Sequence, residues 1–551
     1  PSMKDKVHTD NVGLAMDALE AELITSGGAE VLITDARKAV LKLSASEVLQ
    51  ELRDGSLSAV LVLQSYQARA IEEAKRTNCV TEFIPDAKKW AESLDAVKFG
   101  QMSDVQLPLH GFPVSIKDNI SVEGLDCTLG LKKRTNMPAE QDAVIVKVFK
   151  KLGAIPFVKT NVPQLCLSIG CSNPLWGETV NPHDLSRTSG GSSGGECALI
   201  AGGGSLLGIG TDIGGSIRIP AMFCGVVGMK PTARRISNKG VVHSLAGAVG
   251  IFSSVGIIGR DSSIVVEATK AMLSGDLCQF DSEVPPVPWR EAYFTGQNKK
   301  VLRIGWYDED SINPTTPGVK RAIHETIASL KRQGHELVPF TPPDVSEGMK
   351  FFMDFVFADQ GNSAHALWKG ETIDPSLQLY KQFSQIPANC VALAKPLLKR
   401  QYGELSAEYC GTNISSAFDM WKRLVQRAGY VEKFTRSWKK EELDVLLCPC
   451  FPMPAHKEES TANLMLASFY SGLYNLLDFP AVSFPVTRET EADQSNLKDY
   501  VVTDQMHELI KTDMKGATGL PLGLQAVALP YCEEVLCRIL LEITRNSTFK
   551  L

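Results

Sequence analysis

Over the first hundred residues the apolar positions recur at helical spacing, and residues 1–105 read as a helical N-terminal region. Within it, Ser44-Ala45-Ser46-Glu47 makes a capping box ahead of Val48, Leu49 and Leu52, and Gly55 is placed to stop that helix. From Phe112 onward the texture changes. Short β-like runs at 112–116, 154–158, 301–306, 443–447, 481–486 and 522–529 alternate with longer helical stretches such as 317–334 and 531–546. That rhythm predicts an α/β fold with helices around a buried sheet, and one continuous body over 106–551.

Three segments stand apart from this alternation. Gly240–Gly259 is an uncharged run of 20 residues, but five are glycine and three are serine, so it reads as a buried, turn-rich core segment rather than a membrane span. Residues 380–404 mix Leu, Val, Ile and Tyr with Lys381, Lys395, Lys399 and Arg400, interrupted by Pro387 and Pro396. They fit two short amphipathic helices, either a membrane-facing cap or a solvated hairpin. Glu283–Arg290 is proline-rich and reads first as a linker, although Pro285–Arg290 also fits a PxxPxR peptide of the kind SH3 domains bind.

Composition narrows the function classes. With 44% apolar and 22% charged residues the chain is an ordinary globular one, and its net charge of -6 argues against a nucleic-acid partner, which would need a basic face to neutralise phosphates. Thirteen cysteines scattered without a CxxC pair fit free thiols in a reducing compartment. Nine histidines show no metal-ligand spacing, so neither a metal nor another cofactor is expected. Residues 1–10 carry no apolar signal-peptide core, which points to an intracellular protein, cytoplasmic or associated with endomembranes.

The chemistry concentrates between Gly190 and Ser216, where 27 residues hold eleven glycines and four serines. Glycine at that density serves tight turns and backbone held close to a ligand or a developing charge. A serine hydroxyl needs a base to become a nucleophile. Gly190-Gly191-Ser192-Ser193-Gly194 satisfies the GxSxG elbow of α/β-hydrolases, with histidines downstream at 243, 324, 335, 365, 456 and 507, but that reading leaves the second glycine cluster at 208–215 unused. A lysine base explains more. Lys117 ends the apolar run that begins at Phe112, where burial could keep it neutral; lowering a lysine pKa from about 10.4 to near 7 takes roughly 4–5 kcal/mol, within the reach of desolvation.

The segment Gly190–Ala221, with its paired glycines, adjacent serines and Gly-x-Gly-x-Asp-x-Gly-x-Ser-Ile-Arg-x-Pro ending, resembles the amidase signature. The likeness continues through Lys117, Val158–Asn161, Asn173-Pro174 and Gly228–Pro231; Cys197 stands where many members carry a smaller residue. It implies an amidase-signature fold, with a large mixed, twisted sheet surrounded by helices, as a single catalytic domain over 106–551. It implies Ser216 as nucleophile, Ser192 after a cis bond from Gly191 as bridging serine, and Lys117 as general base. Backbone amides of Ile213, Gly214, Gly215 and Ser216 would form the oxyanion hole, while Ser193, Asp212 and Arg218 orient the serines and the loop.

The runs Cys171–Gly177, Leu473–Pro480 and Gly523–Pro530 most resemble animal fatty-acid amide hydrolases. That resemblance implies a serine amidase splitting N-acylethanolamines such as anandamide, and primary fatty-acid amides, into fatty acid and amine. It also implies a membrane-associated homodimer with 380–404 near its cap; the N-terminal transmembrane segment of animal members has no counterpart in this sequence. A subunit transamidating aminoacyl-tRNA and a non-catalytic lipid-binding protein on the same scaffold are the rival readings. Intact Lys117, Ser192 and Ser216 argue against the second.

Overall fold

The computed structural model describes residues 3–28, 31–97, 107–275, 277–545, 547 and 549–551. The expected boundary at 105/106 lies outside the described residues. Ser44 and Glu47 form the predicted capping box on helix Ala45–Asp54, and Gly55 ends it in the left-handed conformation. The N-terminal region is not wholly helical, however. After helix Ala59–Thr77, capped at its end by Asn78 at positive φ, the β-branched and aromatic residues of Val80–Phe83 form strand β1.

Three more segments build the first half of the sheet around the future site: β2 (Pro113–Lys117), β3 (Ile155–Thr160) and, beyond the small hairpin of β4 (Val180–Asn181) and β5 (Asp184–Thr188), β6 (Leu207–Asp212). Strands β7 (Val227–Lys230) and β8 (Ser254–Gly259) follow, then β9 (Arg303–Trp306), β10 (Glu336–Pro339), β11 (Val445–Pro449), β12 (Ala481–Arg488) and β13 (Pro521–Val527). Eleven strands join in one sheet in the order β1-β3-β2-β6-β8-β7-β12-β13-β11-β9-β10. It is mixed: β2 runs parallel to β3 and β6, and β9 parallel to β10 and β11, whereas the strands between them pair antiparallel. Helices such as Pro317–Arg332 and Glu533–Arg545, at two of the predicted positions, bury their apolar sides against it. Asn546, the last residue of the second expected stretch, lies outside the described residues.

Strands β6, β7 and β8 lie where glycine obscured the pattern. In β6, a side chain on Gly208 would come within 2.1 Å of the Glu196 carboxylate and one on Gly210 within 2.8 Å of Ser193 Oγ, so these glycines let helix Gly194–Ala201 lie directly on the sheet. The uncharged run 240–259 is turn-rich at first, as expected, but that part is not wholly buried: 246–249 are exposed, and its end, as β8, lies in the core. The connector before Arg290 is tied down by that residue, whose guanidinium pairs with Glu534.

Residues 380–404 fall on helix Gln378–Ser384 and helix Val391–Tyr409, joined by a short turn. Leu393 and Leu397 are 81% and 66% exposed, while Lys395 and Lys399 pair with Glu408 and Glu404. Among the described residues no helix is long and apolar enough to cross a membrane.

Candidate active site

Lys117 is the last residue of β2, enclosed by β3 on one side and β6 on the other. Its side chain is fully buried, and Nζ reaches Ser192 Oγ at 2.7 Å, Thr211 Oγ1 at 2.8 Å and the Thr211 carbonyl at 3.3 Å. None of these three atoms belongs to a carboxylate. Burial therefore drives the Lys117 pKa below the usual lysine range, opposed by the nearby Cys166 thiol and Asp212 carboxylate. Nζ donates to Ser192 Oγ and to both Thr211 oxygens, and it is the burial without a carboxylate, not the hydrogen bonds, that favours the neutral amine.

Ser192 follows a cis peptide bond from Gly191, at the turn ahead of helix Gly194–Ala201. Ser216 lies on the next crossing of the same region, between the end of β6 and helix Arg218–Cys224. The Ser193 N–H donates to the Ser216 carbonyl at 3.0 Å and ties the two serine turns together. The Ser193 hydroxyl itself is buried without a hydrogen-bond partner. Ser192 and Ser216 line one cavity, but among the described contacts their hydroxyls are not hydrogen-bonded to each other; only Ser192 of the two contacts Lys117.

The loop between β6 and Ser216 is shaped by an ion pair in the core. Arg218 donates Nε to Asp212 Oδ2 at 3.0 Å and Nη2 to Oδ1 at 2.9 Å, with both side chains completely buried. Although burial pushes the Asp212 pKa up, the Arg218 charge and hydrogen bonds hold it well below the usual carboxylate range. Asp212 also accepts from the Gly215 and Ile217 amides at 2.8 and 3.1 Å, which fixes the turn that presents Ser216. Gly215 has φ +120°, and a Cβ there would come within 2.6 Å of Ile219 and 2.7 Å of Ser471. Its amide is committed to Asp212. Those of Ile213, Gly214 and Ser216 have no acceptor among the described residues.

Several supporting residues carried no recognisable signal. Thr211 supplies two of the three contacts to Lys117; Asn475 donates to the Asp212 carbonyl and carboxylate at 3.1 Å, and its Oδ1 accepts from Arg218 at 2.7 Å; Gln525 and the Ser471 carbonyl accept from Arg218 at 2.9 and 3.0 Å. Asn475 and Gln525 lie within the runs that carry the family resemblance, which was the one available hint. The histidine alternative loses its base. His324, His335, His365, His456 and His507 contact Asp308, Glu542, Ser384, the Lys457 carbonyl and Thr503, and His243, though it lines the cavity, has no hydrogen bond to either serine among the described contacts.

Two cavities meet at Ser216. One, about 620 Å³, is lined by polar groups that include Asn119, Ser192, Thr211, Asn238 and His243. The other, about 120 Å³, is apolar, walled by Phe352, Met353, Val356, Leu379, Tyr380 and Phe383. Ser216 faces both an apolar and a polar recess, and the polar one also holds Ser192 beside the buried amine, an arrangement that suits a substrate with one apolar and one polar end.

Residues 61–537 match the Amidase family, and the chain belongs to it. It is an amidase-signature enzyme, a hydrolase of amide carbon–nitrogen bonds. Over 513 residues it is 38% identical to fatty-acid amide hydrolase 1 of Sus scrofa, covering 92% of this chain and 86% of that one. It is 36% identical to fatty acid amide hydrolase 1 of Caenorhabditis elegans over 95% of this chain and 91% of that one. A solved fatty acid amide hydrolase superposes with a TM-score of 0.81 at 25% identity, covering 99% of this chain and 95% of that one.

Replacing Arg218 with Met strands the Asp212 carboxylate in the core, and urea unfolding at pH 7 should show a loss of about 3–5 kcal/mol. Because Asp212 titrates lower folded than unfolded, its contribution holds above the unfolded pKa of about 3.9 and falls away in acid. The penalty in Arg218→Met should therefore shrink as pH drops below 4; a penalty independent of pH would contradict this role.

Proposed function

We propose that the protein hydrolyses long-chain fatty-acid amides, N-acylethanolamines such as anandamide and primary fatty-acid amides among them, through an acyl-enzyme on Ser216. The observation that carries this reading is the apolar recess around Phe352, Val356, Leu379 and Phe383, which opens at Ser216 beside a polar one. The acyl chain occupies the first and the amine the second. Neutral Lys117 accepts the proton of Ser192, Ser192 accepts that of Ser216, and Ser216 Oγ bonds to the amide carbon. The amides of Ile213, Gly214 and Ser216 hold the resulting oxyanion. The proton returns from Lys117 through Ser192 to the nitrogen as the C–N bond breaks, which matters because an unprotonated amine leaves poorly. Water then repeats the sequence on the acyl-enzyme and releases the fatty acid.

The same wall links the site to the surface. Leu379, Tyr380 and Phe383 belong to the first helix of the expected cap, whose second helix exposes Leu393 and Leu397. We extend the proposal to an intracellular membrane surface as the place of work, reached through this cap. Dimerisation would use the exposed stripe of Phe418, Trp421 and Val425 on helix Ala417–Lys440. Sedimentation should show a dimer that binds anionic liposomes. Leu393→Ser with Leu397→Ser should release it from liposomes without dissociating it, whereas a monomer indifferent to liposomes would refute both points.

Mass spectrometry of products from amides of increasing acyl length should show turnover rising from acetamide to long-chain acylethanolamides. Indifference to length would leave a general amidase. Ammonia transfer from glutamine to an aminoacyl-tRNA would favour the transamidating alternative.

A fluorophosphonate should label Ser216, and Lys117→Met should lower hydrolysis by roughly 10²–10⁴-fold. Wild-type activity should climb with pH as Lys117 loses its proton. The folded protein gives up a proton that the unfolded chain keeps below its pKa of about 10.4, so stability rises with pH up to that value. Lys117→Met removes this slope and should be more stable than wild type at pH 7; a less stable variant would show that Lys117 is buried as an ammonium.

A further inference from the structure

A separate cleft of about 500 Å³ lies at the far end of helix Gly194–Ala201 from Ser192 and shares no lining residue with either catalytic cavity. One side of it is cationic. Lys38 and Lys42, four residues apart at the end of helix Asp35–Leu41, face it together with Arg69 and Arg260. Arg69 is balanced by Glu72 and Glu73. Among the described residues Lys38, Lys42 and Arg260 have no carboxylate partner within ion-pair distance. Arg260 donates Nη1 to the Ile200 and Ala201 carbonyls at the helix end, and burial lowers its pKa against the opposing influence of the Asp261 and Glu73 carboxylates.

Tyr66 forms part of the same wall. It is 1% exposed, and its hydroxyl is buried with no hydrogen-bond partner, near enough to Arg260 for the two to interact electrostatically. A buried hydroxyl without a partner forgoes the hydrogen bonds that water would give it. One anion in the cleft would accept from Tyr66 and supply counter-charge to the cations that line it. The rest of the lining is aliphatic: Ile33, Leu41, Leu43 and Leu206. A free phosphate would leave these side chains facing water, whereas an alkyl chain would cover them.

We infer that this cleft is a second binding site for a long-chain carboxylate, with the head group among Arg260, Lys38, Lys42 and the Tyr66 hydroxyl and the alkyl chain along Leu41, Leu43 and Leu206. The site stands on its own residues and does not require the proposed hydrolysis, though a fatty acid is the product that reaction would release. Gly202, at the floor of the cleft, follows the helix that begins beside Ser192, and its carbonyl accepts from Arg69 at 3.0 Å.

The test uses the full chain treated with a hexadecyl fluorophosphonate, so that the alkyl group fills the apolar recess; intact mass reads the adduct. Equilibrium dialysis against radiolabelled palmitate should then show one equivalent bound, displaced by neither hexadecanol nor inorganic phosphate. Lys38→Gln with Lys42→Gln, and separately Tyr66→Phe, should each weaken palmitate binding about tenfold with amide hydrolysis unchanged and no loss of melting temperature, the Tyr66→Phe protein melting slightly higher without palmitate. Absence of binding, binding by either variant as tight as by wild type, or displacement by hexadecanol or phosphate would overturn the inference. Failure to form the adduct would count against the serine-hydrolase reading instead, and the variants would then be compared on untreated protein.

Discussion

The account depends on one constraint: an amine at the end of a central strand, sealed from water and given no carboxylate. Lys117 meets only hydroxyl and carbonyl oxygens. Desolvation thus favours the neutral form, and a neutral amine beside a serine hydroxyl is a base. The placement follows from the sheet. β2 is interior, covered by helices, and paired in parallel with β6, which brings Thr211 alongside Lys117. Moving this lysine to an edge strand would hydrate it and remove its function.

Burial is used in the opposite sense a few residues away. Asp212 and Arg218 keep their charges in the same core because each neutralises the other and because Asn475, Gln525 and the Ser471 carbonyl satisfy the remaining donors and acceptors. That network spans the sheet from β6 to β13 and grips the loop through the Gly215 and Ile217 amides. A buried pair of this kind contributes less to net stability than to a single geometry for the turn. The flexible element, glycine, and the rigid one, a fully bonded ion pair, together fix the turn that carries Ser216 and leave the amides of Ile213, Gly214 and Ser216 without an acceptor among the described residues.

Legibility in the sequence followed how much each feature depends on local pattern. The capping box at Ser44, the strand ending in Lys117 and the amphipathic helix from Pro317 are local statements and were readable. β6 and β8 were not, because glycines that admit a helix against the sheet erase the alternation that marks a strand. The strand β1 was hidden in a helical neighbourhood by its shortness. In the site, Lys117 stands out at the end of its apolar run and Ser192 within its glycine-rich pattern, whereas Ser216, Asp212 and Arg218 are picked out by the resemblance to the amidase signature. Thr211, Asn475 and Gln525 act through contacts separated by up to hundreds of residues, and no local pattern encodes those. The commitment of the Gly215 amide to Asp212 likewise emerges only from the folded turn.

The protonation state of Lys117 Nζ tests the central claim most directly. In protein labelled with ¹⁵N at lysine side chains, assigned by comparison with Lys117→Met, the Nζ resonance near pH 7 should have the shift of a neutral amine and move to that of an ammonium only on acidification. An ammonium shift that persists well above neutral pH would contradict the account.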